Sequence, residues 1–101
     1  MEANMKNEMT FDEIYLLKDK DIQLVLKEID VMELEYALME AGAEVKDAFF
    51  RNMSKRAEQM ITEDMRYNTN VSRNDSLEAQ QKILDVIFGL EKSGKIKLLE
   101  E

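Results

Sequence analysis

Glu63 and Asp64, two adjacent carboxylates, are the residues best suited by type to chemistry in this 101-residue sequence. Paired acids serve general acid–base catalysis or hard-cation binding when both aim at one atom. Their spacing argues against either use, because consecutive residues on a helix diverge by about 100°. Nor does the rest of the sequence assist them. It has no His and no Cys, so His- and Cys-based nucleophile systems, structural zinc sites and disulfides lack obligatory members. No glycine-rich phosphate cradle, oxyanion hole or EF-hand spacing accompanies the pair. The expectation is a protein that is not an enzyme and carries no cofactor or metal. A hydrolase using Glu63 and Asp64 would lose activity on Glu63→Gln, and no such activity is expected.

The same stretch carries a better-formed pattern. On a helix over 55–67, Asn52, Arg56, Gln59, Glu63 and Arg66 fall along one polar ridge, while Met53, Ala57, Met60 and Ile61 face away. A ridge of mixed sign suits electrostatic docking, in which charge sets register and on-rate more than affinity. The plainer reading is a solvated helix face. Asp64 turns toward the Ala57–Met60–Ile61 side, where it is either exposed at the helix end or capping or pairing with a neighbour.

The elements that must hold this ridge are helical. With no Pro and 3 Gly, the sequence lacks the usual punctuation of hairpins and sandwiches. A charged fraction of 36% fits helices with broad solvated faces. Lys and Arg number 14 against 22 Asp and Glu, giving a net charge of −8. That sign repels phosphate backbones and anionic headgroups, so neither nucleic acid nor membrane is an expected partner. No apolar run approaches the roughly 18 residues of a membrane span, and residues 1–8 lack the apolar core of a signal peptide. The absence of Cys is compatible with the cytoplasm.

Periodicity and caps divide the chain into a polar lead over 1–9, a linker remnant or frayed end, and one helical domain over 10–101. Thr10 and Glu13 form a capping box for a short helix over 11–16. Asp19 opens a second, with Ile22, Val25, Leu26 and Ile29 inward. Asp30 and Glu33 open a third, presenting Leu34, Ala37, Leu38 and Ala41, which Gly42 stops as a residue beyond its C-terminus. A fourth over 44–51 turns Val45, Ala48, Phe49 and Phe50 inward. Asn52 or Ser54 caps the helix over 55–67, and a polar loop follows over 68–74. Asp75 and Glu78 cap the last helix, which runs to about 92 with Ala79, Ile83, Val86, Ile87 and Leu90 inward, and Gly94 closes it. Residues 95–99 alternate weakly, as a short extended segment would. Met53 and Met60, two of the 8 Met, sit at core spacing. Met32, Met39, Leu84 and Phe88 sit off the main stripes, as second apolar faces covered by a neighbouring domain would. The fold class is all-α, a bundle or stack of about six helices.

The residues also form a familiar order. TFDEIYLLKDKDIQLVLKEID (10–30), Ala37-Leu38, FFRNMSKRAEQMITEDM (49–65) and SLEAQQKIL (76–84) resemble the C-terminal domain of the bacterial flagellar motor switch protein FliG, over about residues 10–96. The RNMSKRA and EAQQKI runs are the more specific parts. The resemblance implies an armadillo-like helical domain at the cytoplasmic rim of the flagellar rotor, at the basal body, with other switch proteins and neighbouring copies in a ring as partners. It further implies that charged residues of one helix meet opposite charges in the cytoplasmic loop of the stator protein and so receive torque. Carried over singly, the arginine of Asn-Met-Ser-x-Arg is Arg56, and the acidic pair is Glu63 and Asp64. That is the helix whose ridge the spacing isolates, with Asn52, Gln59 and Arg66 in support.

The sequence departs from the family at three places. Met39 and Glu40 stand where the family has Lys-Gly, which deletes one positive charge and adds a negative one. Thr69-Asn70-Val71-Ser72 replaces Gly-Pro-Val-Arg, leaving Arg73 to stand in one residue on. Glu8-Met9-Thr10-Phe11 retains only the last aromatic of a Met-Phe-x-Phe hinge. Two readings follow: a rotor module with an altered stator contact, or a structural adaptor that has lost torque transfer and binds another helical protein through an apolar patch.

Overall fold

Thr10 N–H donates to Glu13 Oε1 at 3.0 Å while Glu13 N–H returns to the Thr10 carbonyl at 3.1 Å, and Phe11–Leu16 winds from there as a 3₁₀ helix. The computed structural model describes residues 9–98. Apart from Met9, which is buried, the polar lead lies outside them. Five α-helices follow: α1 (Asp19–Glu28), α2 (Val31–Leu38), α3 (Ala43–Phe50), α4 (Lys55–Tyr67) and α5 (Arg73–Lys92). The expected extended tail does not form: residues 95–98 take an irregular path and bury Ile96.

The 20-residue α5 organises the packing. Its stripe of Ala79, Ile83, Ile87 and Leu90 is buried, and it makes its most extensive contacts with α2 and smaller ones with α1 and the 3₁₀ helix. The last carbonyls of α2 lie under α5, which supplies their donors. Ser76 Oγ donates to the Tyr36 carbonyl at 2.6 Å and Gln80 Nε2 to the Ala37 carbonyl at 3.0 Å. A helix end leaves four carbonyls without an intrahelical partner, so these bonds tie α2 to α5 and satisfy both groups. The SLEAQQKIL run (76–84) thus carries the seam's polar clamps as well as its apolar stripe. Across the molecule, α3 packs on the 3₁₀ helix, where the rings of Phe11 and Phe49 stack with centroids 6.3 Å apart. Each such side chain taken fully from water stabilises the fold by about 1.5–3 kcal/mol.

Four sequence-based expectations change. Gly42 does not close α2, which ends at Leu38 with Met39 as its cap; at φ −76° Gly42 is the N-cap of α3. Asp30 stands at the N-cap of α2, yet its side chain makes no capping bond. The last helix starts two residues before Asp75, because Ser72 and Asp75 cap each other: Ser72 Oγ accepts from Asp75 N–H at 3.0 Å, and Asp75 Oδ2 from Ser72 N–H at 3.1 Å. Leu84 is buried, and Phe88 and Met39 are half-buried, so of the off-stripe residues Met32 alone is fully at the surface. Gly94 does close α5. At φ +81° it lets its own N–H reach the Glu91 carbonyl and Lys95 N–H reach that of Leu90, a double closure that needs a left-handed residue.

Candidate docking surface on the fourth helix

Ser54 starts α4 by accepting the Ala57 N–H at 3.0 Å on its Oγ, replacing a donor partner that the first turn lacks. One residue of α4, Ile61, is buried, and it seats the helix against α2. Ala57, Glu58 and Met65 flank it half-buried. The inward stripe is therefore 57–58–61–65, and Met60 is not part of it. Lying about 100° round the helix from Ile61, Met60 is 57% exposed. It joins the outer face with Arg56, Gln59, Glu63 and Arg66, and together they line a shallow concavity there.

Arg56, Gln59, Glu63 and Arg66 are exposed, as the ridge requires. Among the described residues none of the three charged ones has an ion-pair partner. Asn52 leaves the ridge altogether. It lies in the turn before α4, where its Nδ2 donates to the Ala48 carbonyl at 2.8 Å and to Asp19 Oδ1 at 3.1 Å, and its Oδ1 accepts from Gln23 Nε2 at 3.0 Å. Beside it Arg51 bridges Asp19 at 3.1 Å and Asp47 at 2.8 Å. The Asn52 amide, and after it the Arg51 guanidinium, hold the Asp19 carboxyl below its usual range. Asn52 is thus a tie between α1 and α3.

The other charges expected to act together lie apart. Glu63 and Asp64 are both exposed, and Asp64 also lies beside Glu35, a buried carboxyl on α2. Burial, and then the Asp64 carboxyl, push Glu35 up to about 7. Sequence reading gave Glu35 no role. Its signal was a carboxylate directly beside Leu34 in an apolar stripe, and its partner is distant in sequence. Arg73 opens α5 and faces Glu40, with Nε and Oε1 3.8 Å apart. The added carboxylate and the displaced arginine therefore neighbour each other, an exposed pair worth about 0–1 kcal/mol.

This arrangement does not converge two carboxylates on one external atom. Among the described residues, no three Asp, Glu, His or Cys side chains group as a metal site. No described helix is long and apolar enough to cross a membrane. The surface offers a helix backed by one buried isoleucine, with charges of both signs, unpaired among the described residues, around an exposed methionine.

A sequence model of the FliG C-terminal domain matches residues 1–98. The flagellar motor switch protein FliG of Thermotoga maritima is 44% identical over 86 residues, covering 85% of this chain and 26% of the relative. That of Borreliella burgdorferi is 45% identical over 91 residues, covering 90% and 26%. The chain thus spans about a quarter of the length of these curated relatives. A crystal structure of Helicobacter pylori FliG, residues 116–343, superposes with a TM-score of 0.88 at 32% identity, covering 93% of this chain and 41% of that one. Full-length FliG from Aquifex aeolicus superposes at 0.83 and 36% identity, covering 88% and 28%.

Proposed function

The chain belongs to the FliG C-terminal domain family, and from that premise we propose that α4 is a rotor-side docking helix. In this reading the outer face of α4 meets the cytoplasmic loop of a stator protein and receives torque through it. The relatives are motor switch proteins, not enzymes, in keeping with the divergence of Glu63 and Asp64. The observation that carries the reading is the set of exposed Arg56, Glu63 and Arg66, without ion-pair partners among the described residues, on a helix held from behind by Ile61.

Each exposed pair formed with a partner contributes only about 0.2–1 kcal/mol. Contacts of that strength form and break readily, as a stepping contact must. Arg56 and Glu63 are the residues of first contact, with Arg66 and Gln59 beside them. Asp64 and Arg73 stand at the margin, already engaged with Glu35 and Glu40. Other switch proteins and adjacent copies of the module would hold it in the rotor ring at the cytoplasmic side of the basal body.

A structural adaptor is the second reading, favoured by the exposed apolar pair Val31 and Met32 at the start of α2. Salt separates the two. Titrating the protein with a stator-loop peptide between about 50 mM and about 300 mM salt should weaken binding steeply if surface charges carry it. Binding that ignores salt, and is lost on Met32→Ser, belongs to the adaptor.

A further inference from the structure

Tyr67, the last residue of α4, is 77% exposed, and Met60, two turns before it, is 57% exposed. Exposed apolar side chains are ordinary when scattered singly. These two are aligned. At about 100° per residue, Arg56, Met60, Glu63 and Tyr67 fall within a band about 60° wide, on the side of α4 away from Ala57, Ile61 and Met65. Their spacing of four, three and four is that of a straight seam by which one helix meets another. Along this line a cation, an apolar side chain, an anion and an aromatic ring follow in turn, and all four are exposed. The helix packs on α2 through its opposite side, so the line is open among the described residues.

We infer that α4 is met by a partner segment that is itself helical when bound, laid along this line with Met60 and Tyr67 as its apolar anchors. The partner presents an acidic residue to Arg56 and a basic one to Glu63, with apolar side chains over Met60 and Tyr67. Arg56 and Glu63 lie about 10 Å apart along the helix, at 1.5 Å per residue. A helical partner spans that distance with its acid and base seven residues apart on one face, and an apolar residue between them. An extended partner covers it in about three residues, which turns the two charges to opposite faces. The charges set register and approach, while the apolar pair, once covered, excludes water and lengthens the contact. This rests on the reading of α4 as the docking helix, and adds the conformation of the partner and the residues that anchor it.

Calorimetric titration of the whole chain with a stator-loop peptide, at about 50 mM and about 300 mM salt, tests the seam, with circular dichroism following the peptide. The expected result is a gain of helical signal on binding. Met60→Ser and Tyr67→Ser should each weaken binding about three- to tenfold at both salt concentrations, with the salt dependence of the parent retained. Met60→Leu, which keeps the apolar surface, should restore the affinity, and Leu77→Ser, at an exposed leucine of α5, should leave it unchanged. Parent affinity in both serine variants, beside a loss in Arg56→Glu, overturns the apolar anchors and leaves the docking role of α4 standing. Binding without any gain of helix overturns the helical partner in the same way. No binding at all, or binding that neither Arg56→Glu nor the serine variants alter, refutes the docking role of α4, and the seam falls with it.

Discussion

Gln80→Ala removes the side chain that closes the end of α2. The glutamine is 9% exposed, and its Nε2 reaches the carbonyl of Ala37, itself fully buried, at 3.0 Å. Among the described residues no turn or loop N–H reaches that carbonyl. Losing the bond costs about 0.5–1.5 kcal/mol, and leaving the buried acceptor unsatisfied raises the total to about 2–3 kcal/mol. Ser76→Ala is the internal control. The Tyr36 carbonyl would still accept the Met39 N–H at 3.2 Å, so the expected cost is about 1 kcal/mol. For a domain of this size, the glutamine variant should melt about 10–20 °C lower. Urea unfolding followed by circular dichroism measures both costs. A Gln80→Ala variant within about 0.5 kcal/mol of the parent, or a Ser76→Ala variant that costs more, would refute the view that α5 side chains terminate α2.

Further outcomes follow from other contacts. Because Glu35 titrates at about 7 folded against an ordinary 4.5, the native state binds the extra proton between those values. Stability should therefore fall as pH rises from about 4.5 to about 7, and Glu35→Gln should flatten that slope in urea titrations. Gly94→Ala, at φ +81°, should cost about 1–2 kcal/mol. Gly89→Ala, inside α5 with open space where a Cβ would go, should stabilise by about 0.5–1 kcal/mol; thermal melts would register the opposite signs. Asn52→Ala removes the amide that holds Asp19 down, so the Asp19 carboxyl should rise toward 3.8 in an NMR titration, with loop-peptide affinity unchanged.

Much of the fold was legible because the apolar periods of α1, α3 and α5 are clear and most of each stripe is buried, with Leu26, Ile29, Phe50 and Val86 only half-buried. The failures fall where two local solutions compete. Asp75-x-x-Glu78 reads as a capping box, but Ser72 and Asp75 form the actual one, because each satisfies the other's N–H. Gly42 resembles a helix terminator, but α2 stops short of it and the glycine starts α3. On α4, Met60 and Met65 lie to either side of Ile61, and only the packing against α2 decides that Met65 turns inward. The ridge of Arg56, Gln59, Glu63 and Arg66 was legible because it needs helical geometry alone. Asn52 and Asp64 were not, since their partners, Asp19, Gln23 and Glu35, come from other helices.

A charge-reversal cycle tests the docking role of α4 most directly. Arg56→Glu is titrated with a stator-loop peptide in its native form and with one acidic residue reversed to basic. The account predicts weaker binding to the native peptide, with a shallower salt dependence, and recovery with the reversed one. Unchanged affinity and salt dependence with the native peptide, and no recovery with the reversed one, would contradict it.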